Sequence, residues 1–377
     1  MKNKDFSRSK HIPELDGLRG IAILMVMMAH FFNVDEAQLL IHYPFLGPFL
    51  TKISMFGTKG VELFFILSGY LITRILIHST DSQNYFKSFF IRRILRIFPL
   101  YYLILLISFF IIPFFSSIPT DAEPIFKEQW KLWLYVSNVH FFHFVAWDTP
   151  NFVNFGHFWT LSVEEHFYLL WPFLIFFIPI HTLAKWMWGI FFISLISWLL
   201  ASLHPFFGWT TLTQSGSLVL GGIIAYYEFS NQNYLLKLTA WLKSNLFLLI
   251  AIFLIAIFIP RSLGFFRDFF IHILALIGFS AVLILSLHQK SKILTAQWLI
   301  FIGKISYGIY IFHAWLRPFY KTYFYQKWVI LYGPSHVLEI TAAYTVLSIL
   351  ISVLFAWISW EIFEKHLLKL KRTFTYA

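Results

Sequence analysis

The chain has 377 residues, of which 59% are hydrophobic and only 12% are charged. Soluble domains average about 25% charged residues, so this composition indicates a chain that lies in a bilayer. Cysteine is absent, which excludes disulfides, thiolate metal sites and a cysteine nucleophile. The formal net charge of +11 would suit nucleic-acid binding in a soluble protein, but basic cytoplasmic loops explain it better here. We therefore expect a multi-pass membrane protein without a nucleic-acid partner.

Ten stretches are apolar enough to cross a bilayer as helices of about 20 residues. With the N-terminus inside, most of the 29 Lys and Arg fall in cytoplasmic segments, and an even number of spans returns the C-terminus to the cytoplasm. The sequence predicts an all-α integral membrane protein with about ten transmembrane helices, N-in and C-in, and one domain over 1–377 with no appended soluble domain. The stretches lie near 16–34, 60–79, 93–115, 160–180, 185–203, 211–228, 244–260, 268–288, 304–325 and 339–362.

The first stretch, LDGLRGIAILMVMMAHFF, carries Arg19 and His30. Eleven residues make three helical turns plus roughly 20°, so both lie on one face, about 16 Å apart along the axis. An ionisable group within a span costs about 2.5 kcal/mol or more, so each requires an explanation. Arg19 can snorkel to the cytoplasmic surface or pair with Asp16, and His30 can bond a neighbouring carbonyl. The alternative is that both residues are functional, so that one face of the helix presents polar groups in the inner and in the outer leaflet.

The second stretch, GVELFFILSGYLITRIL, contains one acidic residue and a pair of small ones. The pair Ser68–Gly69 predicts close helix packing. Glu62 can pair with Lys59 or hydrogen-bond a histidine, and the sequence alone leaves both open.

The third stretch begins FFIRRILRIFPLYYL, with three arginines at its cytoplasmic end. Ordinary positive-inside anchoring suffices for Arg92. Guanidinium groups match the geometry of phosphate oxygens, however, and Arg93 and Arg96 would lie on the same side as Arg19. The cluster therefore predicts a site for a cytosolic donor that carries several phosphates.

The fourth stretch begins HFWTLSVEEHFYLLWP. A capping box from Ser162 to Glu165 would explain Glu165, but it leaves Glu164 and the flanking histidines without a role. Two adjacent carboxylates at the depth expected for His30 can orient an imidazole and raise its basicity.

The ninth stretch, GKISYGIYIFHAWL, carries Tyr310 and His313 at i,i+3, on one helical face. Packing between helices would explain a stripe of tyrosine alone. An ionisable histidine in the stripe favours a lining of the substrate path instead.

The segment 116–159 is the longest one between predicted spans, and it is rich in aromatic residues. An aromatic belt at the membrane interface explains them most simply. The alternative is one wall of a glycan site, because sugars stack on aromatic rings. The residues concerned are Trp130, Trp133, Phe141, Phe142, Phe144 and Trp147.

Five segments, IPELDGLRGIAILMVMMAH, GVELFFILSGYLITR, FFIRRILRIFPLYYL, HFWTLSVEEHFYLLWP and GKISYGIYIFHAWL, resemble in order and spacing the bacterial acyltransferase 3 family. That family's Arg-x10-His signature is matched by Arg19 and His30, and its Arg-x-x-Arg pair by Arg93 and Arg96. The resemblance implies an O-acyltransferase of the bacterial cytoplasmic (inner) membrane. Such proteins move an acyl group, usually acetyl, from cytosolic acyl-CoA to an extracytoplasmic carbohydrate.

Two positions depart from the family pattern. The family often has Asp where Glu62 stands, so the charge is the same at this position. It often has Gln where His166 stands, so this chain has an additional titratable group next to Glu165. Some members also carry a C-terminal esterase-like transferase domain. Since this sequence ends at Ala377, we expect it to complete the transfer alone or to pass the acyl group to another protein.

The resemblance also implies roles for the polar residues. We expect acetyl-CoA as the donor substrate, no metal, and His30 as the general base on a sugar hydroxyl, helped by Glu164 or Glu165. His30 can alternatively carry the acyl group itself as a covalent relay. The expected donor-binding residues are Arg19, Arg93 and Arg96, and the expected substrate-binding residues are Tyr310 and His313.

The acceptor is expected to be a glycan or lipid-linked glycan, and family analogy favours lipopolysaccharide O-antigen. Peptidoglycan and exopolysaccharide are the alternatives within the same class. A transporter or flippase of a glycan or lipid-linked solute is the alternative from another class, since it would also need many spans and a buried polar stripe. The oligomeric state is left open.

Overall fold

The structure is a computed structural model, and it describes residues 11–33, 35–115, 117–138, 152–201 and 208–376. The principal helices are α1 (Pro13–Phe32), α2 (Glu36–His42), α3 (Leu46–Phe56), α4 (Gly60–Ser79), α5 (Tyr85–Leu106), α6 (Glu123–Glu128), α7 (Trp159–Phe177), α8 (Ile180–Ala201), α9 (Thr211–Ser230), α10 (Gln232–Ser244), α11 (Leu246–Phe258), α12 (Phe265–His288), α13 (Gln297–Lys304), α14 (Ser306–Trp315), α15 (Val337–Ser359) and α16 (Lys365–Lys369). Short helical segments connect or extend them at Gly57–Lys59, Ile107–Ile111, Ile112–Phe115, Thr120–Ala122, Trp130–Trp133, Gly156–Phe158, Arg261–Leu263, Arg317–Tyr320, Lys321–Gln326, Lys327–Tyr332, Pro334–His336, Trp360–Glu364 and Leu370–Thr373.

The protein is an all-helical membrane protein in the part of the chain that the structure describes. Six of its helices are long and apolar enough to cross a bilayer, or seven when α10 and α11, which meet at 75°, count as one broken span. All ten predicted stretches overlap helices, but ten crossings and the N-in, C-in orientation stay predictions. Large apolar side chains such as Phe110 (62% exposed) and Leu170 (66% exposed) cover the outside, as a lipid-facing surface requires.

Helices α4 and α9 pack in close contact because glycines lie where they meet. A Cβ on Gly69 would lie 1.8 Å from the carbonyl oxygen of Leu218, and a Cβ on Gly221 would lie 2.0 Å from that of Ile66. Neither distance is possible without moving a backbone. The close packing predicted from the Ser68–Gly69 pair is therefore confirmed at Gly69.

Helix α1 lies against α4, α13, α14 and α15, and it runs unbroken from Pro13 to Phe32. Its contact with α13 is also close, since a Cβ on Gly303 would lie 1.8 Å from the carbonyl oxygen of Asp16. An unbroken helix keeps Arg19 and His30 about 16 Å apart along its axis. The two residues therefore reach different depths of the bundle.

Two local predictions are wrong. The stretch 304–325 is not one helix: α13 ends at Lys304, α14 ends at Trp315, and a new turn begins at Arg317 with Pro318, whose ring cannot continue the preceding helix. Ser162 caps no helix, because α7 already begins at Trp159. The Ser162 hydroxyl instead lies 2.9 Å from that of Ser137.

The aromatic segment is described in part. Trp130 is 50% exposed, as an interfacial ring would be. Trp133 packs parallel to Tyr102, with ring centroids 5.8 Å apart. Phe141, Phe142, Phe144 and Trp147 lie outside the described residues.

Candidate active site

A cavity of about 100 Å³ lies between α1, α4, α5, α7 and α14. Arg19 from α1 and Arg93 and Arg96 from α5 line it together, so the three arginines singled out in the sequence converge. We call it the arginine cavity. Its other polar lining residues are Ser68, Thr160, Glu164, Tyr168, Ser306, Tyr307 and Tyr310.

The guanidinium groups of this cavity are held in different ways. Arg19 donates to the Asp16 carboxylate at 3.2 Å, which is the local pairing that the sequence allowed. It lines the cavity as well, so that pairing does not remove it from the site. Arg93 lies over the ring of Tyr168, 5.3 Å from its centroid.

The C-terminal segment brings a further cation to the cluster. Lys371 is close enough for the charges of Arg96, Arg93 and Arg19 to act on its ammonium group. Arg92 holds this segment in place by donating to the carbonyl oxygen of Phe374 at 3.1 Å. Arg92 thus anchors the chain, and Lys371 is a basic residue of this region that the sequence gave no reason to select.

The two glutamates of α7 differ in their surroundings. Glu164 lines the arginine cavity, where the charges of Arg93 and Arg19 act on its carboxylate. Glu165 is not among the lining residues, and its Oε1 atom is buried without a hydrogen-bond partner in the described part of the chain. Glu164 therefore lies with the arginines, and the predicted help of either carboxylate to His30 stays a prediction.

A larger cavity of about 740 Å³ lies at the N-terminal end of α7 and is lined by His30. We call it the histidine cavity. Its lining combines the rings of Trp159, Trp198 and Trp209 with the charged side chains of Lys59 and Glu62. Its volume lies within the roughly 300–1,000 Å³ range of small-molecule sites.

His30 is held by a second histidine. Its Nδ1 atom lies 2.9 Å from Nε2 of His313, and the two ring planes are within 9° of each other, with ring centroids 5.1 Å apart. His313 is fully buried, and its Nδ1 lies 2.7 Å from the carbonyl oxygen of Tyr310. The structure therefore places His313 behind His30 instead of on a cavity wall.

These contacts determine which nitrogen of each ring carries a proton. A carbonyl oxygen only accepts, so Nδ1 of His313 must donate to Tyr310. In the neutral ring Nε2 is then an acceptor, and Nδ1 of His30 donates to it. Nε2 of neutral His30 consequently keeps its lone pair, which is the state that a general base or a nucleophile needs.

The two cavities meet at three shared lining residues, Val61, Thr160 and Tyr310. The Tyr310 hydroxyl donates to the carbonyl oxygen of His157 at 2.7 Å and lies 2.5 Å from the Thr160 hydroxyl. Tyr310 is thus where a group passing from the arginines to His30 would make contact. This position agrees with the predicted contact with substrate, which stays a prediction.

Sequence reasoning missed some of this site. Thr160 was not predicted as a site residue, because a single threonine in an apolar helix does not by itself indicate a function. His157 was noticed only as part of a crowded segment, yet its buried ring lies 5.3 Å from that of His313. In the described residues, no group of three or more acidic or histidine side chains is arranged to hold a metal ion.

Residues 12–360 match a family model described as an acyltransferase domain, so the chain belongs to the acyltransferase 3 family. Over 362 residues, the chain is 27% identical to a protein of Staphylococcus aureus that is provisionally named an O-acetyltransferase. This alignment covers 88% of the chain. The chain is also 31% identical over 179 residues, 46% of this chain, to the peptidoglycan O-acetyltransferase OatA of Listeria monocytogenes. A provisionally named peptidoglycan O-acetyltransferase of Bacillus subtilis is 31% identical over 170 residues, 43% of this chain.

These relatives extend beyond the matched region. The chain spans 55% of the length of the staphylococcal protein, 25% of that of the Listeria protein and 23% of that of the Bacillus protein. No solved structure matches the fold.

Proposed function

We propose that this chain is an O-acyltransferase that moves an acetyl group from acetyl-CoA to a hydroxyl of a cell-envelope glycan. The observation that carries the proposal is that the arginine and histidine cavities meet at Thr160 and Tyr310. A donor held at one end can thereby reach a basic histidine at the other. The two halves of the family signature, Arg19 and His30, lie on one unbroken helix that connects them.

The arginine cavity suits a phosphorylated donor. Arg19, Arg93, Arg96 and Lys371 gather in a small region, and acetyl-CoA carries phosphates at one end and the reactive thioester at the end of a long narrow arm. Guanidinium forks bind phosphate oxygens in pairs, so the phosphates would be held at the arginines while the arm points along α1. With the predicted N-in orientation, this end of the bundle faces the cytoplasm, where acyl-CoA is available.

His30 then acts as the general base in the acyl transfer. Its Nε2 takes the proton of the acceptor hydroxyl as the oxygen attacks the thioester carbonyl. The new ester C–O bond forms, the C–S bond breaks, and the departing thiolate takes the proton from the imidazolium to leave as CoA. His313 holds the His30 ring and accepts its Nδ1–H throughout, so His313 is a positioning residue.

A glycan acceptor in the cell envelope is supported by the names of the relatives, two of which refer to peptidoglycan. Peptidoglycan is therefore the acceptor to test first. The preference for lipopolysaccharide O-antigen came from family analogy and stays a prediction. A transporter is disfavoured, because the relatives are named for acetyl transfer and the geometry provides a base beside a donor cavity.

The proposal is tested with purified protein in liposomes, given acetyl-labelled CoA and either muropeptides or O-antigen polysaccharide. We expect labelled glycan with the wild-type protein and its loss with His30→Ala. His181→Ala, which removes an exposed histidine at the start of α8, is the matched control and should label normally. Normal labelling by a correctly folded His30→Ala protein would overturn the proposal.

A further inference from the structure

The histidine cavity contains a charged cluster that the acyl-transfer chemistry does not use. Lys59 donates to Oε1 of Glu62 at 2.6 Å, and Nδ1 of His272 lies 3.3 Å from the same oxygen. The Glu62 side chain is only 7% exposed and that of His272 only 1%. Both expected partners of Glu62, the lysine and a histidine, are thus present at once.

Ionisable groups buried within a membrane protein are costly and most often mark a functional site. This cluster joins α4 to α12, so the simplest explanation is that it ties these helices together. Two features point beyond that role. The cluster lies in the wall of the cavity that also contains His30, and only one of the two Glu62 oxygens is used by Lys59 and His272.

The second oxygen of Glu62, Oε2, accepts no hydrogen bond within the described part of the chain and is not among the buried unbonded atoms. Since Glu62 lines the cavity, Oε2 is available to a ligand there. A carboxylate oxygen only accepts, so it selects a hydroxyl or amide donor. Lys59 and His272 fix its position by holding the other oxygen.

The same cavity offers flat aromatic surfaces. The rings of Trp159 and Trp209 lie 4.8 Å apart at 70° to each other, which forms a corner of two indole rings. A sugar ring presents C–H groups on its faces and hydroxyls around its edge. An aromatic corner and a fixed carboxylate oxygen in the walls of one cavity therefore match the surface of a sugar.

The charges lining this cavity balance. Three acidic residues, Glu36, Glu62 and Asp268, face three basic ones, Lys52, Lys59 and Arg267, among the described lining residues. Two of the acids are already paired with two of the bases, Glu62 with Lys59 and Asp268 with Arg267. An anionic sugar would find no surplus of positive charge here, and its own desolvation would be uncompensated.

We propose that the histidine cavity is the acceptor site and that it takes an uncharged sugar unit, which stacks on Trp209 and donates a hydroxyl to Oε2 of Glu62. This inference rests on the proposed acyl transfer and names its acceptor class. It places the sugar in the same space as His30, so a neighbouring hydroxyl can reach the base.

The charge claim is tested on the wild-type protein without any donor. Methyl glucuronoside and its methyl ester differ in one negative charge and one small methyl group, and their binding to detergent-purified protein can be measured by ligand-observed NMR and thermal stabilisation. We expect the neutral ester to bind at least about tenfold more tightly, a difference of about 1.4 kcal/mol. Equal binding, tighter binding of the uronate, or no binding of either compound would overturn the inference.

The residue claim is tested by Glu62→Gln and Trp209→Leu, with Trp186→Leu as the control because Trp186 is 58% exposed on α8. We expect each site variant to raise the acceptor KM about tenfold while CoA still stabilises the protein; a purely structural role would change both together. Acceptor KM unchanged in a folded variant would overturn the inference while leaving acyl transfer intact. If the proposed function itself fails, wild-type protein transfers no acetyl group to any glycan, which is a separate outcome.

Discussion

Nδ1 of His30 lies 2.9 Å from Nε2 of His313, and this contact connects the candidate base on α1 to the backbone of α14. The carbonyl of Tyr310 determines the tautomer of His313, and His313 then determines that of His30. His30, about 16 Å from Arg19 along the same helix, thus acquires a defined proton arrangement from one backbone oxygen.

Replacing His313 should impair turnover without affecting the donor. His313→Leu removes the acceptor for Nδ1 of His30 and lets the ring turn, and a misplacement of about 1 Å can cost roughly 10²-fold in rate. We expect kcat to fall by that order while thermal stabilisation by CoA is retained. His181→Leu is the control. A normal kcat in folded His313→Leu protein would show that His30 needs no such support.

No acylated histidine should accumulate when the acceptor is missing. If His30 acts as a base, acetyl-CoA without glycan leaves the protein unmodified, and mass spectrometry of rapidly quenched protein will find the His30 peptide unchanged. Detection of an acetyl group on His30, lost when glycan is added, would establish the covalent relay in place of direct transfer.

The junction between the cavities should limit acyl chain length. Thr160→Ala removes bulk and the contact with the Tyr310 hydroxyl at the point where the cavities meet. One methylene at a tight apolar contact changes the preference between two substrates by about 10–200-fold. The ratio of butyryl to acetyl transfer should therefore be at least about tenfold higher in Thr160→Ala than in the wild-type protein.

Ser162→Ala is the matched control for this experiment. Ser162 is buried on the same helix but is not among the residues lining either cavity. An unchanged acyl preference in Thr160→Ala would mean that the acyl group takes another route.

Lys371 should contribute to donor affinity. Lys371→Gln removes one cation from the arginine cluster, and we expect CoA to bind about fivefold more weakly, equivalent to about 1 kcal/mol. The dependence of CoA affinity on salt concentration should also decrease. Lys369→Gln, an exposed lysine in the same segment, should behave as wild type. Identical CoA affinities for the two variants would remove Lys371 from the donor site.

Glycine at position 69 should be required for stability. Gly69→Ala places a Cβ against the Leu218 carbonyl and forces α4 and α9 apart, at a cost of about 1–3 kcal/mol. Gly189→Ala on α8 meets no atom within 4 Å and should stabilise its helix by about 0.5–1 kcal/mol. Thermal unfolding of the purified proteins compares the two, and equal melting temperatures would contradict the packing argument.

Local sequence predicted the parts of this protein that depend on local physics. The composition and the apolar stretches indicated a helical membrane protein, and α4 occupies Gly60–Ser79, the range that hydropathy gave. The spacing of Arg19 and His30 fixed their separation along α1, because an unbroken helix has a constant rise. The five ordered motifs were sufficient to recognise the family, which the match over residues 12–360 confirms.

Contacts between distant segments were not predictable in this way. Glu164 lies with the arginines because α7 packs against α4, α5 and α9 in a way that turns this side chain toward the arginine cavity. The pairing of His30 with His313 joins residues 283 positions apart, and Lys371 reaches the arginines only because the C-terminal segment folds back onto α5.

The sequence by itself determined that Arg19 and His30 share one face of one helix, since helical geometry depends on nothing beyond the chain's own backbone. Only the tertiary structure decided what each of them faces: a cluster of cations for Arg19, a second histidine and an aromatic cavity for His30. The reason is physical. A helix fixes the angle and distance between its own residues, whereas the neighbours of those residues depend on how all the other helices pack around it.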